Sequence, residues 1–183
     1  MKRGHFLLTA LMAIPTASFA WLKNLIRPDK GFKVTAGKNR MDTKTKYGFG
    51  NSNFLKISQK DTDGDLCIFE GEALGKGGPR LHIHHEQDEI LIITEGKFRV
   101  QVGDDTFDAG VGDTVFLPRK VPHTMANMTD GKGKLINIYQ PAGQMEAFFE
   151  LMGTRNTRSS LEEAKEFFKS HGMEIVGPSL AVD

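Results

Sequence analysis

The chain reads as an all-β domain, a barrel or sandwich of two antiparallel sheets, followed by a pair of C-terminal helices. Three observations predict this. Short apolar segments recur between residues 46 and 140 at a spacing of roughly 8–12 residues. Glycine-rich turns separate them. The hydrophobic period then changes, after Pro141, from that of strands to that of helices.

The apolar segments are NFLKIS, LCIFEGEAL, EILIITEG, KFRVQV, DTFDA, DTVFLP, HTMANM and LINIYQP. The turns between them are DTDGD, GKGGP, GDD, AGVGD, PRKVP and TDGKGK, too short for crossover helices, so neighbouring strands pair antiparallel. DTDGDL, residues 61–66, has the acid spacing of a calcium loop but lacks its sixth-position glycine, and a hairpin turn at Asp63-Gly64 explains it better. Met145, Phe148, Phe149 and Met152 share one helical face, read as a packing face rather than a cofactor box. SSLEEAKEFFKSHG opens with Ser160 and Glu163 at capping-box spacing and closes at Gly172.

The organisation expected is residues 1–20 as an export signal, 21–45 as an N-terminal arm, 46–140 as the barrel and 141–183 as the helical tail. Lys2 and Arg3 precede an apolar run, and Ser18-Phe19-Ala20 ends it with small residues at the cleavage positions, the layout of bacterial export. Gly4 stands where a twin-arginine signal carries its second arginine. The run is short and broken by Pro15, so no stable membrane anchor is expected. The expected location is the periplasm, with the cytoplasm as the alternative in which the segment packs as an arm. The net charge of +1 marks no nucleic-acid binder, and the single cysteine, Cys67, excludes an internal disulfide and a cysteine zinc site.

Chemistry concentrates in LHIHHEQDEI, residues 81–90, which holds half of the six histidines. Side chains alternate along a strand, so His82 and His84 share a face and His85 points the other way. A turn in HEQD is needed to bring Glu89 to the same face, with Leu91 and Ile93 beside it. PRKVPHTMAN supplies His123, placed by Pro118 and Pro122. Three imidazoles and one carboxylate suit a single divalent Fe, Mn, Ni, Co, Cu or Zn. Surface histidines beside a turn would leave the shared parity, the nearby acid and the proline-fixed third histidine unexplained.

These stretches resemble the two motifs of the cupin superfamily, small jelly-roll β-barrels with a metal in the mouth. GGPRLHIHHEQDEILIITEG matches the first through His82, His84, Glu89 and Gly96; GDTVFLPRKVPHTMAN matches the second through Gly112, Pro118, His123 and Asn127, with Lys120 in a glycine position. The first motif and the tail EIVGPSL most resemble single-domain relatives of the quercetin dioxygenases. That resemblance implies a metal held octahedrally by His82, His84, Glu89 and His123 with two positions open, and Glu89 as the catalytic base. It implies a dioxygenase acting on an aromatic or flavonol-like small molecule in a pocket of Phe98, Val100, Phe116 and Met125. A non-oxidative isomerase or hydrolase and a non-catalytic binding protein are the competing functions. Many quercetin dioxygenases carry two such barrels, so a homodimer is expected, with the polar arm of one subunit across the edge strand of the other. The arm folded back on its own edge is the alternative.

Overall fold

The computed structural model describes residues 27–41, 52–154 and 160–182. The expected export signal lies outside them. Among the described residues, ten strands and two helices follow one another: β1 (Ser52–Ile57), β2 (Cys67–Leu74), β3 (Arg80–His84), β4 (Asp88–Glu95), β5 (Lys97–Val102), β6 (Asp105–Gly110), β7 (Thr114–Leu117), β8 (His123–Asn127), β9 (Lys132–Gln140), α1 (Met145–Thr154), α2 (Leu161–Lys169) and β10 (Met173–Ser179). The strands form two five-stranded antiparallel sheets, in the orders β1-β2-β9-β4-β7 and β10-β3-β8-β5-β6. The all-β class and the helical pair are as expected.

Strand alternation decides what faces inward. On β4, Glu89, Leu91 and Ile93 are buried while the residues between them are not; on β9, Leu135, Asn137 and Tyr139 are buried. Cross-strand pairing lines these up in rows. Cys67, Tyr139, Glu89 and Leu117 form one row of the first sheet, and Ile175, His82, His123 and Val102 form one row of the second.

Two buried apolar clusters fill the interior. One joins Leu91, Ile93, Phe98, Val100, Ala109, Val115, Leu117 and Leu135 between the sheets. The other joins Leu55, Cys67, Phe69 and Tyr139 to Met145, Phe148 and Phe149 of α1 and Met173 of β10, with Phe167 and Phe168 of α2 against it. The phenylalanine and methionine face of α1 thus packs on the barrel, and it also lines the cavity described below. The capping box is formed: Ser160 accepts from the backbone of Glu163, and the Glu163 side chain accepts from the backbone of Ser160.

The tail is not wholly helical. Met173–Ser179 is a strand that pairs with β3, setting Ile175 opposite His82 and Met173 opposite His84. Met173 and Ile175 alternate with exposed Glu174 and Val176, the pattern of a half-buried edge strand.

The described part of the arm, residues 27–41, packs against β1 of the barrel. Arg40 donates its backbone N–H to Leu55 O at 2.6 Å, and Asn39 Oδ1 accepts from Leu55 N at 2.8 Å, so this segment covers the open edge of β1. Arg40 also pairs with Asp61 at 3.1 Å and lies over the Phe32 ring. In the β1–β2 connection Asp63 and Gly64 have φ of 54° and 81°, which makes this segment a turn, as its composition suggests.

Candidate metal centre

His82 and His123 face each other across paired strands, and β3 ends on His84. Glu86 and Gln87 turn the chain so that Glu89, in the facing sheet, meets all three. One ligand atom from each of His82, His84, Glu89 and His123 lies within 4.8 Å of the others, and all four residues are buried. Nε2 of His84 is 3.5 Å and Nε2 of His123 is 3.4 Å from Glu89 Oε2. The four residues expected from the two motifs are therefore brought together.

His85 points away, as strand parity requires. It is exposed, with Nε2 3.8 Å from Glu174 Oε2.

Backbone carbonyls orient the rings. His82 Nδ1 is 2.7 Å from Arg80 O, and His123 Nδ1 is 2.9 Å from Val121 O. A proton on Nδ1 in each case leaves the Nε2 lone pair for the cluster, the usual way a metal-binding histidine is fixed in its tautomer. The buried Nε2 of His123 has no hydrogen-bond partner within the protein. An orphaned acceptor facing two imidazoles and a carboxylate fits a cation, and the N₃O donor set fits a divalent transition metal.

The electrostatics point the same way. Burial, reinforced by neighbouring His123 and His84, holds the His82 pKa down at about 3; burial holds His84 at about 4 against the opposing pull of Glu89. Both are neutral at physiological pH, the form that binds metals. Burial alone would raise the Glu89 pKa, but His123, then His84 and His82, outweigh it and keep the carboxyl below its ordinary range.

The loop between β7 and β8 is clamped to this cluster. Lys120 adopts φ 66° and donates its backbone N–H to His84 O at 2.8 Å. The left-handed turn that the motif's glycine would make is thus kept by a lysine. Arg119 holds the same loop through a two-pronged bond to Asp88, at 3.0 and 2.7 Å, which drops the Asp88 pKa to about 2. Asn127 serves the turns rather than the cluster. Its Nδ2 donates to Gly75 O and Gly131 O, and its Oδ1 accepts from Thr129.

Two residues of the site escaped sequence reading. Tyr139 donates its O–H to Glu89 Oε1 at 3.0 Å from the neighbouring position on β9. Phe168 of α2 packs its ring 5.6 Å from that of His82. Only the placement of Tyr139 on the buried parity of LINIYQ pointed to it.

The cluster opens onto a cavity of about 700 Å³, lined among others by Phe98, Met125, Phe148, Phe149, Met152 and Phe168. Of the four residues expected in the pocket, Phe98 and Met125 line it. Val100 does not: it points inward but is packed in the core between the sheets. Phe116 does not either: its neighbours Val115 and Leu117 take the buried parity, so Phe116 faces out and is 58% exposed.

The family model described as "Cupin domain" matches residues 71–139, which carry all four clustered residues. An uncharacterized protein of Methanocaldococcus jannaschii is 35% identical over 61 residues, 33% of this chain and 49% of its own, so the match spans about half the length of that relative. Among solved structures, KdgF from Halomonas sp. is 16% identical with a TM-score of 0.49, covering 61% of this chain and 94% of its own. A Cupin 2 conserved barrel domain protein from Salinispora arenicola is 14% identical with a TM-score of 0.49, covering 64% and 96%.

Proposed function

We propose that the chain is a cupin, on the match of residues 71–139 to the cupin domain model, and within that superfamily a metal-dependent dioxygenase acting on an aromatic or flavonol-like small molecule. The observation that carries this reading is the position of the His82, His84, Glu89 and His123 cluster at a cavity to whose wall five phenylalanines and four methionines contribute. A divalent transition metal bound there supplies Lewis-acid binding of phenolic oxygens and, if redox-active, a route for electrons to dioxygen.

The chain's own residues would do the rest. Phe98, Met125, Phe148 and Phe149 seat an apolar ring and keep water out. Glu89, held ionised, accepts the proton of a phenolic hydroxyl at Oε2. Tyr139 holds the other oxygen of that carboxylate so that Oε2 stays turned to the histidines.

The test is oxygen uptake by protein loaded in turn with Fe, Mn, Ni, Co, Cu or Zn, against a panel of flavonols and catechols. Uptake that needs metal and falls on Glu89→Gln supports the reading. Binding without uptake for any metal sinks it and favours a non-catalytic binding protein. A non-oxidative isomerase or hydrolase acting on a diol is the second reading, favoured by the polar atoms that Asn53, Arg80 and Asn137 bring to the cavity wall. It predicts conversion of a polar diol without consumption of oxygen.

Export and assembly belong to the same proposal. Residues 1–20 are read as a signal for periplasmic export on their basic start and small-residue end; protein from its own host beginning at Met1 in the cytoplasm would remove that reading. No helix among the described residues is long and apolar enough to cross a membrane. A homodimer is supported by the exposed apolar side chains Phe107, Val111 and Phe116 on the β6–β7 side. A monomer mass near 20.3 kDa for the full chain across a dilution series would rule it out.

A further inference from the structure

Away from the histidines, the cavity wall carries two carboxamides whose carbonyl oxygens are unpaired. Oδ1 of Asn53 and Oδ1 of Asn137 are both shielded from solvent, and neither accepts a hydrogen bond. Both residues line the cavity, and Asn137 is only 3% exposed. A buried carbonyl without a donor is costly and uncommon, and two on one wall call for an explanation.

The backbone makes room for the pair. Asn53 stands opposite Gly71, and Gly71 opposite Leu135, on adjacent strands of the first sheet. A Cβ on Gly71 would lie 2.8 Å from Asn53 Oδ1 and 3.1 Å from Asn137 Nδ2. The two carboxamides are therefore within about 6 Å of each other, gathered over the one position in that row without a side chain.

We infer that Asn53 and Asn137 form a polar subsite of the cavity that accepts hydrogen bonds from an O–H or N–H group of the bound molecule. This rests on the reading above, in which the other end of that molecule is held at the histidine cluster. The separation of the two ends follows from strand geometry. Asn137 is two residues from Tyr139, which touches Glu89, so the subsite begins about 7 Å along β9 from the cluster. The ligand class is a chelating phenol or diol that carries a second hydroxyl or amino group on the far side of an apolar body. A plain apolar ring would leave both carbonyls unpaired, and a site built to bond a hydroxyl discriminates against the analogue lacking it.

The test uses the Co²⁺-loaded full chain, whose visible spectrum reports ligands entering the metal sphere. Three probes are titrated: catechol, 4-(2-hydroxyethyl)catechol and 4-propylcatechol, the last two of nearly equal length and differing by a hydroxyl for a methyl. The wild type is expected to bind the hydroxyethyl compound at least ~10-fold more tightly than the propyl compound. Asn137→Leu and, separately, Asn53→Leu are expected to abolish or invert that preference while catechol still binds. The second variant sits on the edge strand β1 and covers the case in which the first fails to fold. Tight binding of all three probes with no preference in the wild type, or a preference unchanged in the variants, overturns the subsite and leaves the metal reading standing. Absence of any spectral change with catechol overturns the metal reading, and the subsite with it.

Discussion

Tyr139 donates its phenolic O–H to Oε1 of Glu89, at 3.0 Å, from the directly opposed position on the neighbouring strand. Both residues are buried, at 3% and 1% exposure, so no solvent can replace that bond. Because Oε1 is occupied, Oε2 is the oxygen left to face His84 and His123. The pair thereby sets the direction of the carboxylate.

Tyr139→Phe removes the donor and keeps the ring. Leaving Oε1 buried and unpaired should cost about 1–3 kcal/mol of stability, seen as a lower Tm or urea midpoint. Loss of a partner that orients a ligand should also weaken metal binding by about 10- to 100-fold. A Co²⁺ titration that shows unchanged affinity would mean that Glu89 is held by the fold rather than by the tyrosine.

The two adjacent histidines of the HIHH run should behave oppositely. His84→Ala opens the cluster and should abolish one-to-one metal binding. His85→Ala touches an exposed ring whose nearest carboxylate is 3.8 Å away on Glu174, and should leave the stoichiometry at one metal per chain and the stability within about 0.5 kcal/mol. Metal content by mass spectrometry after dialysis distinguishes them. Loss of metal in the His85 variant would contradict the strand parity.

Much of this arrangement was legible because strand parity and turn chemistry are local. The eight apolar runs all became strands, and His82, His84, Glu89 and His123 needed only alternation, one turn and a proline-bounded loop to converge. What escaped depends on phase or on distant partners. In TVFL three apolar residues are consecutive, so nothing local says that Val115 and Leu117 rather than Phe116 are inside. Val100 has the inward parity, but which layer of the interior it fills is decided by its neighbours in the core between the sheets. The strand Met173–Ser179 follows a helix-period segment and contains Gly177 and Pro178, which argue against a strand until β3 offers it an edge. Tyr139 showed only that it was buried; its partner became visible with the pairing of β4 and β9.

Lys120 sits at φ 66°, in a conformation unfavourable for a side chain with a Cβ. Lys120→Gly should relieve that strain, partly offset by the greater freedom of glycine in the unfolded chain, for a net stabilisation of about 1 kcal/mol or less. Its backbone bond to His84 O should survive, so metal affinity should stay within about twofold. Equilibrium unfolding in urea measures the first and a metal titration the second. A loss of stability on substitution would show that the lysine side chain earns its place through contacts of its own.

Acid should destabilise the metal-free protein from a higher pH than its carboxylates alone would dictate. Burial holds His82 near 3 and His84 near 4 in the fold, whereas a histidine in the unfolded chain takes up its proton near 6.5. Above 6.5 both states are neutral at these positions, and stability does not depend on them. Below 6.5 the unfolded chain binds protons that the folded one refuses, so stability falls as pH drops, by up to about 1.4 kcal/mol per pH unit for each group. The loss continues until the folded-state values near 4 and 3 are passed. Glu89, also held below its ordinary range, adds loss of the same sign at the lower end. Bound metal stabilises the folded state by mass action, so the loaded protein should lie above the metal-free one with a similar slope between pH 6.5 and 4, and below that, where protons compete for the same nitrogens, release metal and lose the added stability. Urea unfolding at pH 8, 6.5, 5 and 4, with and without Co²⁺, reads both curves. A metal-free protein equally stable at pH 7 and pH 4 would mean that the buried imidazoles accept protons freely, and that the cluster is wetter than its burial indicates.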